Sequence, residues 1–188
     1  MRPKALERLN LTWHQIHKQF QNLSQISIVG YNTPRENMSG HDLTYQAKAG
    51  LIIFPFLPRT LLADLATAEK VVSTALALIL SHHTGKSGGF SQISIESVVE
   101  NFSAPVRYGL TCSDGLLGGA YSGYNLYQTA KGWIAVAALE PHFWNKLIGL
   151  LGLNNVSHED LQNIFSTRTA LEWEHWARIH DIPINALN

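Results

Sequence analysis

The sequence predicts an α/β fold in which a doubly wound segment is joined to a smaller α+β segment. Apolar side chains recur at helical spacing over residues 4–21, and β-branched residues alternate with polar ones over 25–30. A helix followed directly by such a strand is typical of the last piece of a doubly wound domain. The final part of the chain instead reads as a hairpin followed by amphipathic helices. We therefore predict two domains, residues 1–110 and 111–188.

Proline and glycine separate the elements of the first predicted domain. The longest predicted helix starts after Thr60, which is a suitable capping residue, and contains Asp64 in its first turn. The predicted elements after residue 30 are, in order, a loop at 31–40, helices at 42–49 and 61–82, a strand around 93–95 and a helix at 96–107.

The second predicted domain begins with a glycine-rich stretch and is built on a β-hairpin. The two runs of the hairpin alternate, and Gly132 between them can adopt a positive φ. Thr169, three residues before Glu172, is predicted to start the last helix. The predicted elements are strands at 124–129 and 133–139, helices at 143–151, 158–165 and 170–180, and a final strand at 182–187.

Composition excludes several classes of protein. The 188 residues include 14 basic and 14 acidic side chains, so no nucleic-acid or acidic-membrane partner is indicated. A single cysteine, Cys112, excludes an internal disulfide and fits a reducing compartment. The only apolar stretch of membrane length, residues 61–80, is interrupted by Asp64, Glu69 and Lys70. We expect a cytoplasmic protein with no membrane or nucleic-acid partner.

Three ionisable side chains stand beside apolar or small residues. A charge there costs free energy unless it is paired, and such groups are often functional. The three side chains are His41, Asp64 and Glu140. An imidazole and carboxylates can transfer protons or attack a carbonyl carbon. The other histidines lack the spacing of zinc ligands, so no metal is predicted.

Each of these residues also has a purely structural interpretation. His41 alternatively caps or bonds the helix that follows it. Asp64 is alternatively a first-turn charge favoured by the helix dipole. Glu140 alternatively opens a helix whose first residue is Pro141. Asp42, next to His41, is interpreted as a capping residue rather than a catalyst.

Several ordered motifs resemble the family III CoA-transferase superfamily, which includes formyl-CoA transferase, carnitine CoA-transferase and α-methylacyl-CoA racemase. Residues 39–47, with the sequence SGHDLTYQA, are similar to the family's GHD-x-x-Y segment, and residues 60–66 to its helix with the reactive aspartate. Further similar segments follow in the family's order at 118–120, 124–127, 132–136 and 138–143. The resemblance implies a remnant of a Rossmann-like large domain joined to the family's smaller α+β domain.

By this resemblance, His41 and Asp64 match the catalytic pair of the racemases, and Glu140 matches the glutamate that supports the histidine. The three are expected to converge on one water-poor cleft. The expected cofactor is coenzyme A, bound as an acyl-CoA substrate, with no metal. The residues expected in the substrate-binding and CoA-binding loops are Gly40, Tyr45, Gly118 and Gly119.

The resemblance leaves the reaction open. His41 slightly favours racemase-type proton exchange, whereas in the transferase branch Asp64 would attack the acyl-CoA carbonyl and form an acyl-aspartyl anhydride. Family members are also longer, and the segment that holds the adenosine end of CoA precedes the part matched here. We therefore expect a homodimer or a companion chain that supplies that segment. The remaining alternative is a truncated, non-catalytic paralogue or one half of a split enzyme.

Overall fold

The computed structural model describes residues 2–154 and 156–187 and contains two sheets, one parallel and one antiparallel. The chain divides into two compact units, Met1–Ala104 and Pro105–Asn188. Helices accompany both sheets. The α/β fold class predicted from the sequence is therefore confirmed.

The first unit is built on two parallel strands. Strands β1 and β2 pair in parallel, with Ile28 opposite Ile93 and Val29 opposite Ser94. Their carboxyl ends therefore lie side by side, and the N–H of Glu96, just beyond β2, donates to the carbonyl of Gly30 at 3.0 Å. The elements are α1 (Pro3–Arg8), α2 (Trp13–Gln19), β1 (Gln25–Val29), α3 (Asp42–Lys48), α4 (Leu62–His83), β2 (Phe90–Ser94) and α5 (Ile95–Phe102).

The prediction of one helix over residues 4–21 is wrong, because the chain breaks between α1 and α2. Asn10 adopts a left-handed conformation with φ of 55°, which ends the first helix. Thr12 then starts the second helix, where its hydroxyl and the side chain of Gln15 form a capping box. Asparagine and threonine favour such positions because their side chains hydrogen-bond the nearby backbone.

Two further details differ from the sequence prediction. The predicted helix 96–107 is divided at Ser103 into α5 and α6 (Ala104–Arg107). Pro105 lacks an N–H and so cannot donate to the carbonyl of Asn101, which removes one helical hydrogen bond across the break. Helix α4 starts at Leu62 with Leu61 as its N-cap residue, so Thr60 is not the N-cap residue. None of the helices within the described ranges is long and apolar enough to cross a membrane.

The second unit packs helices against one face of an antiparallel sheet ordered β3-β4-β5. Gly132, in the turn of the hairpin, has a φ of 92°, as its position predicted. Thr169 caps the last helix, and the side chain of Glu172 completes the capping box. The elements are β3 (Tyr124–Gln128), β4 (Trp133–Ala137), α7 (Pro141–Leu151), α8 (His158–Phe165), α9 (Ala170–Ile179) and β5 (Ile184–Ala186).

A buried carboxylate ties the loop after β1 to the first turn of α5. Glu96 is only 4% exposed, and Arg35 Nη2 donates to both of its carboxylate oxygens at 2.8 Å. Lys48 Nζ and the backbone N–H of Asn32 also donate to it. Burial works to raise the pKa of Glu96, but the hydrogen bonds from Lys48, Asn32 and Arg35 outweigh it, so the pKa lies below its ordinary value.

This lowered pKa predicts a specific loss of stability in acid. A carboxyl group whose pKa is lower in the folded state stabilises the fold above its unfolded pKa, near 4.5, and loses that contribution as pH falls through the folded value. The denaturation midpoint should therefore fall more steeply below about pH 4.5 in the unaltered protein than in Glu96→Gln, measured by circular dichroism. Glu100→Gln, an exposed change on the same helix, should retain the steep fall. Equal pH profiles for the unaltered protein and Glu96→Gln would contradict the prediction.

Candidate functional site

The structure brings two of the predicted catalytic residues to the same corner of the first unit. His41 is the N-cap residue of α3, and Asp64 lies in the first turn of α4. Between them, Asp42 Oδ1 accepts a hydrogen bond from the backbone N–H of Asp64 at 3.1 Å. Because Asp42 is the neighbour of His41 in the chain, this bond holds the starts of the two helices together.

A buried polar network explains why the chain folds this way. Asp42 is 6% exposed and Gln46 is 2% exposed. Gln46 Nε2 donates to Asp42 Oδ2 at 2.6 Å and to the carbonyl of Thr60 at 3.0 Å. Asp42 and Gln46 stand four residues apart and therefore share one face of α3. Buried polar groups are costly without partners, so these hydrogen bonds are needed for the corner to form.

His41 and Asp64 are exposed, unlike the buried Asp42 and Gln46 beside them. His41 starts α3 through its backbone, because its N–H donates to Thr44 Oγ1 at 3.0 Å while its imidazole makes no side-chain cap hydrogen bond. His41 therefore does cap and bond the following helix, as its structural interpretation expected, and its catalytic role stays a prediction.

Gly40 and Tyr45 belong to the same corner. Tyr45 is 4% exposed, and a Cβ added at Gly40 or at Gly30 would lie 2.4 or 2.2 Å from its hydroxyl oxygen. Glycine is therefore required at both positions for the ring to enter. Burial is the main cause that raises the pKa of Tyr45, and the charge of Asp64 adds to it, so the hydroxyl stays a neutral hydrogen-bond donor.

A small cavity of about 200 Å³ opens beside this hydroxyl, at the carboxyl end of β1. Ligands of open α/β sheets bind at that edge of the sheet. Its walls include Arg2, Gly30, Met38, Gly40, Tyr45 and Ile95.

Gly118 and Gly119 lie in a wide π-type turn, Leu116–Ala120, of the second unit. A Cβ at Gly118 would lie 1.6 Å from the carbonyl oxygen of Cys112, and Gly119 has a φ of 114°, so both positions require glycine. Asn125 Nδ2 donates to the carbonyl of Gly119 at 2.9 Å. The turn and the adjacent strands line a cleft of about 440 Å³.

Glu140 also lies in the second unit, as the N-cap residue of α7 with Pro141 in the first position of the helix. Its carbonyl accepts the N–H of Trp144 at 3.0 Å, and the residue is exposed. The structural interpretation of Glu140 as a helix start is thus confirmed. Its support of the imidazole stays a prediction.

Sequence reasoning missed the role of Gln46 and misplaced that of Asp42. Asp42 was expected to cap a helix, and it does so, but the helix is α4 rather than its own. The sequence signal that could have indicated the network is the spacing of these two polar residues. They stand four positions apart on a short helix and therefore share one of its faces. Among the described residues, no group of three His, Cys, Asp or Glu side chains is placed to hold a metal ion.

Comparison with known proteins identifies the family. A sequence profile described as CoA-transferase family III matches residues 1–188, and the chain belongs to that family. Human α-methylacyl-CoA racemase is 27% identical over 167 residues, covering 72% of this chain and 43% of that protein. A CaiB/BaiF CoA-transferase family protein of Caenorhabditis elegans is 26% identical over 199 residues, covering 92% of this chain and 58% of that protein. The chain thus spans about half the length of the curated relatives it matches.

Solved structures show the same fold. A hypothetical protein from Mycobacterium tuberculosis superposes with a TM-score of 0.84 at 19% identity, covering 100% of this chain and 59% of that one. A CAIB/BAIF family protein from Brucella suis gives a TM-score of 0.69 at 16% identity, with 100% and 58% covered. The expected architecture, part of a Rossmann-like domain joined to a smaller α+β domain, is confirmed.

Proposed function

We propose that this protein acts on acyl-CoA thioesters and that His41 and Asp64 exchange the proton on the carbon next to the thioester. The observation that carries the proposal is the hydrogen bond from the N–H of Asp64 to Asp42, which sets Asp64 beside the residue that follows His41. The α-methylacyl-CoA racemases among the relatives support the same chemistry.

The reaction needs a base and an acid on opposite faces of the substrate carbon. One of the two side chains removes the α-proton, and the electron pair moves onto the thioester oxygen to give an enolate. The other side chain then returns a proton to the opposite face, which inverts the configuration. An imidazole suits one of these roles because its ring nitrogens can both accept and donate a proton. No metal is needed to balance these steps.

The remaining candidate residues have binding and supporting roles in this proposal. Gly40 lets the backbone pass close to the Tyr45 hydroxyl, which donates a hydrogen bond to a substrate oxygen in the adjoining cavity. Gly118 and Gly119, in the turn Leu116–Ala120, keep the substrate-loop role that the resemblance implies. Glu140 keeps the role of the glutamate that supports the histidine.

The second candidate is CoA transfer between carboxylic acids, favoured by the exposed carboxylate of Asp64 in the first turn of α4. Asp64 would attack the thioester carbonyl, the C–S bond would break, and CoA would leave as a thiolate. An acceptor carboxylate would then replace the donor acid on Asp64, and the thiolate would attack the new anhydride. This route uses Asp64 but does not require a base at His41.

A third candidate is that the chain needs a second polypeptide. Ile53 and Phe54 are 80% and 89% exposed, and Leu76 on α4 is 62% exposed. We take these exposed apolar side chains as candidates for contact with a protein partner. The partner would be a second copy of the chain or a companion chain that covers these side chains.

Deuterium exchange tests the first proposal. Incubation of the purified protein with a 2-methylacyl-CoA in D₂O should replace the α-proton by deuterium, which mass spectrometry and NMR detect. CoA transfer to an added carboxylic acid without α-exchange would reject proton exchange in favour of the second candidate. Isothermal titration with CoA addresses the third candidate, because micromolar binding by this chain alone would argue against a required companion.

A further inference from the structure

We propose that Asp42 is a positioning residue, which fixes the backbone of Asp64 and thereby sets the place of its carboxylate relative to His41. The effect of Asp42 on catalysis rests on the proposed function, whereas its effect on the backbone does not. The structural part of the inference concerns a single hydrogen bond between residues 22 positions apart in the chain.

The first step is that Asp64 cannot satisfy its own N–H within α4. The first N–H groups of a helix have no intrahelical acceptor, and Leu61, the N-cap residue, offers no side-chain oxygen. The N–H of Leu65 is already bonded to the carbonyl of Leu61 at 3.0 Å. Within the described ranges, the acceptor for the Asp64 N–H is Asp42 Oδ1.

The second step is that Gln46 holds Asp42 in place and also bonds the chain just before α4. Gln46 Nε2 bonds the other oxygen of Asp42 and also the carbonyl of Thr60, just before the N-cap residue. Asp42 and Gln46 are both more than nine-tenths buried. Both oxygens of the buried carboxylate are therefore bonded, and its position constrains the backbone of Asp64.

The third step links this position to chemistry. An ordinary capping residue belongs to the helix that it caps, so it fixes only that helix. Asp42 instead follows His41 directly, so the same carboxylate joins the segment that carries the imidazole to the residue that carries the reacting carboxylate. Displacement of a catalytic group by about 1 Å can cost about 100-fold in rate. Loss of Asp42 should therefore lower kcat much more than it changes KM.

Amide hydrogen exchange followed by NMR tests the structural part. In Asp42→Ala, the Asp64 amide should exchange about 10- to 100-fold faster, since a hydrogen bond to a charged group is lost. Glu96→Ala is the matched control, because Glu96 is a second buried carboxylate that accepts one backbone N–H, from Asn32. It should accelerate exchange at Asn32 and leave Asp64 protected, whereas Asp42→Ala should do the reverse. Equal acceleration at both amides in Asp42→Ala would indicate general loosening and overturn the proposal.

Asp42→Asn separates positioning from simple loss of stability. Its amide oxygen still accepts the Asp64 N–H, but its NH₂ group faces the Gln46 NH₂ group, so one of the two hydrogen bonds of Asp42 survives. Protection of the Asp64 amide and kcat for α-proton exchange should both lie between those of the unaltered protein and Asp42→Ala. A kcat in Asp42→Ala equal to that of the unaltered protein would overturn the catalytic part. Absence of exchange in the unaltered protein would reject the proposed function and that catalytic part, while the Asp64 amide would still decide whether Asp42 fixes the backbone.

Discussion

Replacing Asp64 by asparagine is expected to lower α-proton exchange by about 10²–10⁴-fold, the usual contribution of a general acid or base. Asparagine has nearly the same shape and keeps the backbone hydrogen bond to Asp42, but its side chain cannot take up or release the proton. The first turn of α4 should therefore be preserved while the chemistry is lost. The measurement is the rate of deuterium incorporation from D₂O into each enantiomer of a 2-methylacyl-CoA.

His41→Gln distinguishes the two reactions proposed for Asp64. Proton exchange needs both side chains, so His41→Gln should reduce it strongly as well. CoA transfer needs only the Asp64 carboxylate, so His41→Gln should leave it largely intact while Asp64→Asn abolishes it. Glu69→Gln removes a carboxylate from an exposed position on the same helix and should leave either activity unchanged. Exchange at the unaltered rate in Asp64→Asn would show that Asp64 has no part in the reaction.

Local patterns were sufficient to predict many of the elements. The helix His158–Phe165 has the predicted bounds, and the capping box of Thr169 and Glu172 forms where its spacing indicated. Such features depend on residues three or four positions apart, which is the range over which a sequence pattern specifies structure. The positive φ of Gly132 is another example.

The break between α1 and α2 escaped prediction because apolar spacing continues across it. Asn10 and Thr12 interrupt the helix by backbone conformation and capping, not by a change in the apolar pattern. Asparagine and threonine are also found inside helices, where they are only mildly unfavourable. Their presence therefore did not outweigh the periodicity of the apolar residues.

The bond between Asp42 and Asp64 could not be predicted from sequence, because nothing in the intervening 21 residues fixes the distance between the two. The resemblance to a known family identified His41 and Asp64, but not the residue that joins them. A carboxylate beside an N-cap residue is usually explained by its own helix. Only the packing of α3 against α4 shows that Asp42 accepts a backbone N–H from the first turn of α4.

The second unit offers the largest expected effect on stability, because Phe165 is fully buried in its core. Its ring lies 5.0 Å from that of Tyr127 and 5.1 Å, edge on, from that of Trp173, centroid to centroid. Trp173 Nε1 also donates to the carbonyl of Phe165 at 2.8 Å. Phe165→Ala should destabilise this unit by about 3–5 kcal/mol, the range for removal of a buried phenylalanine.

Tryptophan fluorescence during denaturant unfolding measures this effect, because four of the five tryptophans lie in the second unit and two of them, Trp173 and Trp176, stack edge on at 5.4 Å. Leu171→Ala is the matched control on the same helix as Trp173, since Leu171 is 71% exposed. It should change the free energy of unfolding by no more than about 0.5 kcal/mol. Small domains are stable by only about 5–15 kcal/mol, so Phe165→Ala should remove much of the total. Similar midpoints for the two variants would mean that Phe165 lies outside the core, and that the helices do not pack on the sheet as described.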